Sequence, residues 1–264
     1  MFTLTVSPSW FKSDAYGKFE DAAKRGFKAI EVLNWTGLDL KRIRSEVDKT
    51  GVEISAILFR STDPVKQELI ANTHGIVNAD ALDAFLDAIK ETIAAAKNVG
   101  TKNIVVTTGN EVAGMSRQEQ HDNVVKALCA AAPLAEEAGI KLVLEPLNIL
   151  VNHMGYFLTT TAESVEIIKE VDSPNVLVLY DVYHQQITEG NIINNIRNNI
   201  SYIGHIHVGD VPGRNQPGTG EINYKNVFKA IRDVGFDGYV VFECGLTEDV
   251  DLACPKMWAL LEEE

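Results

Sequence analysis

The chain alternates short apolar runs with amphipathic segments along its whole length, and this alternation most limits the folds open to it. Apolar runs of strand length fall near 2–7, 28–33, 52–58, 102–107, 140–144, 175–180, 201–207 and 238–242. Segments with apolar residues at helical spacing predict helices near 14–25, 38–49, 80–99, 117–138, 161–170, 190–199, 223–234 and 249–262. Several helical segments stop at glycine, as at Gly26, Gly51, Gly100, Gly139 and Gly235, where a residue without Cβ suits a left-handed cap. The strand runs are rich in Val, Ile and Leu without strict alternation, a pattern that fits burial on both faces. Eight such units without a linker predict one α/β domain over residues 1–264, a (β/α)8 TIM barrel.

Four of the runs end in a residue that binds metal well: Glu145, Asp181, His207 and Glu243, separated by 36, 26 and 36 residues. In a parallel barrel all strands point the same way, so residues at consecutive strand ends converge on one mouth. Three carboxylates and an imidazole there offer hard oxygen and nitrogen donors to a divalent cation. Any one carboxylate at a strand end also has a plainer reading, as the cap of the next helix or the partner of a basic residue. Three together without a cation would raise one another's pKa, which a divalent metal removes. Oxygen-dominated coordination favours Mn²⁺ or Mg²⁺, with Co²⁺ or Zn²⁺ also able to occupy such a site.

Loop lengths point to the same face. The connections after strands at 60–79, 109–116, 146–160 and 208–222 are long, and barrel enzymes keep their active sites there. The first is too long for a simple connector and reads as a candidate lid. His205 lies two residues before His207 and so on the same strand face, either orienting a ligand or packed as a structural histidine. His184, just beyond Asp181 at the start of a loop, is placed to reach a substrate hydroxyl; a surface loop histidine is the alternative. Arg214 sits in the turn-rich segment 212–218, able to hold a guanidinium over the mouth or simply to face solvent. Cys244 would point away from Glu243, and His74, His121 and His153 show no metal spacing. Gly218-Thr219-Gly220 is too short for a phosphate cradle.

Composition excludes some functions. With 24 basic and 37 acidic residues the formal net charge is −13, and no basic patch offsets it, which disfavours nucleic acid and anionic membrane as partners. No apolar stretch approaches the roughly 20 residues of a membrane span. The chain begins on a strand-like run without a signal-like segment, and its three cysteines lack zinc-finger spacing. A cytoplasmic protein, either monomeric or a homo-oligomer, is the expectation.

The second half of the chain resembles the hydroxypyruvate isomerase family of the xylose isomerase-like barrel superfamily. The resemblance rests on Leu144-Glu145-Pro146-Leu147-Asn148, Gly155-Tyr156-Phe157-Leu158, Asp181-Val182-Tyr183-His184, Gly204-His205-Ile206-His207, Val211-Pro212-Gly213-Arg214 and Gly220-Glu221-Ile222-Asn223-Tyr224. The first half matches only as a barrel. The resemblance implies Glu145, Asp181, His207 and Glu243 as metal ligands. It also implies Glu145 and Glu243 as the acid/base pair, with His184 and Arg214 contacting a small sugar or hydroxy-keto acid. Two features mix signatures: His207 stands where hydroxypyruvate isomerases carry glutamine and ketose 3-epimerases histidine, and Val151 stands where the epimerases carry a further glutamate. Such a site supports proton transfer beside a carbonyl through an enediolate, ending in isomerisation or epimerisation. Two other classes are an endonuclease IV-like phosphodiesterase, disfavoured by the charge and by only six histidines, and a catalytically idle sugar-binding protein.

Overall fold

The computed structural model describes residues 1–71 and 75–261. Its strands are β1 (Thr3–Val6), β2 (Ala29–Ile30), β3 (Glu53–Ile54), β4 (Ile57–Leu58), β5 (Asn103–Val106), β6 (Lys141–Leu144), β7 (Val176–Asp181), β8 (Ile203–Val208) and β9 (Tyr239–Phe242). All pair in parallel, in the order β3-β2-β1-β9-β8-β7-β6-β5-β4. The two ends of that order are consecutive in the chain, because β3 and β4 are halves of one predicted strand broken at Ser55 and Ala56. On one side Ser55 N donates to Ile30 O at 3.0 Å and Val32 N to Ala56 O at 3.1 Å; on the other Phe59 N donates to Val105 O at 3.0 Å. This segment therefore closes the ring, and the fold is the α/β TIM barrel that the repeat predicts.

Helices α1 (Gly17–Lys24), α2 (Leu40–Thr50), α3 (Pro64–Ala71), α4 (Leu82–Val99), α5 (Arg117–Ala138), α6 (Thr161–Val171), α7 (Val182–Thr188), α8 (Ile192–Asn199), α9 (Tyr224–Asp233) and α10 (Val250–Ala259) alternate with the strands. Their boundaries follow local chemistry. Asp39, Ser116 and Thr160 cap α2, α5 and α6 by accepting from amides in the first turn, and Gly51 closes α2 in the left-handed conformation at φ 69°. α4 turns Phe85, Ala88, Ile89, Ala95, Ala96 and Val99 onto the barrel wall. Inside the barrel, Ala56 from the break between β3 and β4 joins Val105, Val143 and Leu179 from β5, β6 and β7 in a separate apolar cluster. Two residues beyond Val143 and Leu179 on the same face come Glu145 and Asp181, so this apolar layer is the floor of the polar mouth.

Two expectations needed correction. Segment 60–79 is not a bare loop: it contains α3 and a 3₁₀ turn at Gly75–Val77. His74 lies outside the described residues. The segment after β7 is also helical, because Asp181 caps α7 directly, and this places His184 in a helix rather than in a loop. No helix of the described residues is long and apolar enough to cross a membrane.

Candidate active site

Glu145, Asp181, His207 and Glu243 do converge: one donor atom from each lies within 4.8 Å of all the others. Strand register explains why. Asp181 pairs with His207, and His207 with Val241, two residues before Glu243 on the same face. Each side chain is then aimed by its own contacts. Asp181 uses one carboxylate oxygen to cap α7, accepting from Tyr183 N at 2.7 Å and His184 N at 3.3 Å. Its other oxygen, Oδ2, faces the cluster, 3.3 Å from the Arg214 guanidinium and 3.6 Å from His184 Nε2. Glu145 is tied at its backbone, where Tyr156 Oη donates to Glu145 O at 2.9 Å and accepts from Thr108 N at 2.8 Å. His207 Nδ1 lies 3.0 Å from Glu243 Oε2 and 3.6 Å from Glu145 Oε1.

Arg214 reaches into this cluster. Its guanidinium stands 2.5 Å from Glu243 Oε2, and the loop that carries it is firmly held. Asp210 N donates to Asn215 O at 2.7 Å, and the Asp210 carboxylate accepts from Gly218 N at 2.8 Å and Ile222 N at 3.1 Å. Gly220 belongs to the same construction, since a Cβ there would lie 2.1 Å from the Val211 carbonyl oxygen. That is a structural reason for a glycine where no phosphate cradle is needed. His184 is fully buried. Its Nδ1 accepts from Asn148 N at 3.1 Å, so Nε2 carries the proton and has no hydrogen-bond partner among the described residues.

Charge at the mouth is finely balanced. Burial pushes the Glu145 carboxyl up to about 7, against the lowering effect of His207. Burial would also raise Asp181, but its contacts with His184, from whose backbone N–H it accepts, and the charges of Arg214 and His207 outweigh it and hold that carboxyl below its usual range. Burial lowers His184 to about 4, so it is neutral. His207 resists the lowering effect of burial, because Glu31 and Glu243 hold it well above the ordinary imidazole range. Three inward carboxylates and one imidazole fit a divalent cation in donor type and spacing, and a cation would remove the burden of charging Glu145.

Sequence reasoning missed Glu31, at the end of β2. Its buried carboxylate is 2.9 Å from His205 Nε2 and 3.2 Å from His207 Nε2, so His205 is indeed deep in the barrel and polar-bonded. His153, set aside for want of metal spacing, stands beside the site, its ring centroid 5.3 Å from that of His184. A cavity of about 310 Å³ opens beside the cluster, lined in part by Ser7, Ser9, Lys18, Glu31, Asn34 and Glu243. Cys244 is buried with its thiol pushed up by burial, unsuited to nucleophilic work. His121 pairs with Glu170 at 3.0 Å, apart from the cluster.

The sequence profile of the xylose isomerase-like TIM barrel matches residues 19–253, and the chain belongs to that family. The hydroxypyruvate isomerase of Escherichia coli K12 is 30% identical over 240 residues, covering 90% of this chain and 91% of that protein. A solved L-ribulose 3-epimerase superposes with a TM-score of 0.77 at 25% identity, covering 100% of this chain and 88% of the other. A structure described as an AP endonuclease of family 2 from Brucella melitensis gives 0.86 at 23% identity, covering 98% and 99%; at that identity it shows the fold alone. The chain is thus an enzyme of the isomerase/epimerase type.

Proposed function

We propose that the chain is a divalent-metal-dependent isomerase that interconverts a short 2-oxo acid, such as hydroxypyruvate, with its hydroxy-aldehyde isomer. The observation that carries this reading is the convergence of Glu145, Asp181, His207 and Glu243 at one mouth of the barrel. A divalent cation held by these four donors, Mn²⁺ or Mg²⁺ by their chemistry, would supply Lewis-acid stabilisation of oxygen charge in an enediolate. Glu145 and Glu243 flank His207 Nδ1, and Glu243 also lines the cavity, so these carboxylates are the pair that removes and returns the proton. Burial holds Glu145 near 7, and a bound cation would favour its ionised form, the form that accepts a proton. The unpartnered Nε2–H of His184 is a donor available to a substrate hydroxyl.

The acid substrate class is favoured by the cavity wall. Arg214 is already engaged with Glu243 and Asp181, whereas Lys18 lines the cavity without an ion pair among the described residues. Ser7, Ser9 and Asn34 supply hydroxyl and amide groups around it. A second reading, ketose 3-epimerisation, has a specific point in its favour: histidine at position 207, together with the likeness to the L-ribulose 3-epimerase structure. The same pair of glutamates serves it, with the proton returned to the opposite face of the same carbon. Incubation of the Mn²⁺-loaded enzyme in D₂O with hydroxypyruvate or neutral ketoses, read by NMR, tests both. Deuterium uptake with aldehyde formation from hydroxypyruvate is the expected result. Exchange confined to C3 of ketoses would replace the isomerase with the epimerase, and exchange on no substrate would sink both.

A further inference from the structure

We propose that Glu31 is a positioning residue that fixes the tautomer and orientation of His207, and so determines how tightly the mouth of the barrel holds a divalent cation. The proposal rests on the metal-dependent reading above, but concerns a residue outside the four-donor set. Glu31 is buried at the C-terminal end of β2, across β1 and β9 from the strand that carries His207. Its carboxylate accepts from two imidazoles, His205 Nε2 at 2.9 Å and His207 Nε2 at 3.2 Å. A carboxylate only accepts, so both rings present Nε2–H to it.

The consequence for His207 is specific. With one proton committed to Glu31 through Nε2, the nitrogen left to surrender its proton and give a lone pair to a cation is Nδ1, which lies 3.0 Å from Glu243 and 3.6 Å from Glu145. Without Glu31, the ring on becoming neutral would keep its proton on Nδ1, where the Glu243 carboxylate accepts it, and would offer no lone pair to a cation between those glutamates. His205 braces Glu31 from below. It sits two residues earlier on β8, with its ring edge-on to His207 at 5.1 Å between centroids, and its second nitrogen has no partner among the described residues. Such outer carboxylate–histidine contacts commonly contribute about 10–100-fold in metal affinity.

The test uses Glu31→Gln, which keeps shape but lets the side chain donate to a ring nitrogen and so admits the Nδ1–H tautomer. Mn²⁺ affinity of the full chain is measured by calorimetry without substrate, alongside ¹⁵N shifts of the imidazole nitrogens in metal-free protein at alkaline pH, where the ring is neutral. The expected outcome is Mn²⁺ binding weaker by about 10–100-fold, with the His207 shifts moving toward the Nδ1–H form. A cooperatively melting variant that binds Mn²⁺ within twofold of wild type overturns the proposal and leaves Glu31 a core residue only. If Glu31→Gln does not fold, Glu31→Asp decides: it keeps the charge but retracts the oxygens. At least fivefold weaker binding then supports the proposal, and less overturns it. Failure of the wild-type chain to bind Mn²⁺ would instead overturn the metal-dependent reading, and this inference with it.

Discussion

Removing the charge on Glu145 should make the metal-free enzyme less sensitive to rising pH in a defined window. Burial raises this carboxyl from 4.5 to about 7, so between those values the folded chain holds a proton that the unfolded chain has released. Stability therefore falls as pH rises through that window, by about 1.4 kcal/mol per unit, or roughly 3 kcal/mol over the whole of it. His184 opposes this. Burial lowers its pKa from 6.5 to about 4, so the unfolded chain binds the extra proton between those values and stability rises with pH there. The two slopes overlap, and the wild-type profile alone would look deceptively flat. The informative quantity is the difference between Glu145→Gln and wild type, measured by urea denaturation of EDTA-treated protein at pH 4.5 to 8. The variant should gain on wild type by up to about 3 kcal/mol across the window and stay level above it. Adding Mn²⁺ should erase the effect from wild type, because a cation favours the ionised carboxylate. A difference that does not change with pH would show that burial leaves the Glu145 carboxyl titrating as it does in the unfolded chain, and would refute this reasoning.

Chelation should abolish turnover while far-ultraviolet circular dichroism stays unchanged, since the barrel core is apolar and independent of the four donors; loss of the fold would contradict this. Glu243→Gln, assayed with Mn²⁺ in excess, should lower solvent-deuterium exchange by at least about 10²-fold, the scale of a lost general base; wild-type exchange would remove Glu243 from that role. Lys18→Met should raise KM for hydroxypyruvate about tenfold, the scale of one lost charge-assisted hydrogen bond, and leave neutral ketoses unaffected. Equal effects on both substrate classes would mean that Lys18 shapes the cavity without reading charge.

The barrel and the convergence of its four strand-end donors were legible because two periodicities agree. Strand-plus-helix spacing placed Glu145, Asp181, His207 and Glu243 at successive strand ends, and the two-residue period of a strand put them on one face. Glu31 satisfies the same rule and was still missed. The apolar run 28–33 continues through Val32 and Leu33, so Glu31 reads as interior to a strand, whereas β2 ends at Ile30. α7 escaped for a related reason. It begins at once after β7 with no turn residue between them, because Asp181 ends one element and caps the next. The long connection at 60–79 hid α3 because its apolar residues form no strong stripe.

Asp181 also shows why choosing between a capping and a metal-binding role for such a carboxylate is a false alternative. A carboxylate has two oxygens, and here each faces a different environment. Oδ1 meets the two amides that open α7, while Oδ2 faces Arg214 and the cluster. The cap fixes the rotamer, so Oδ2 reaches the mouth already oriented, and the resulting helix carries His184 to within 3.6 Å of that same oxygen. Helix α7 and the site are thus assembled by one residue. This explains how a strand can end in a buried acid without destabilising the barrel: every atom of the acid has either a backbone amide or a cationic partner, and the second partner is the one that a metal can replace.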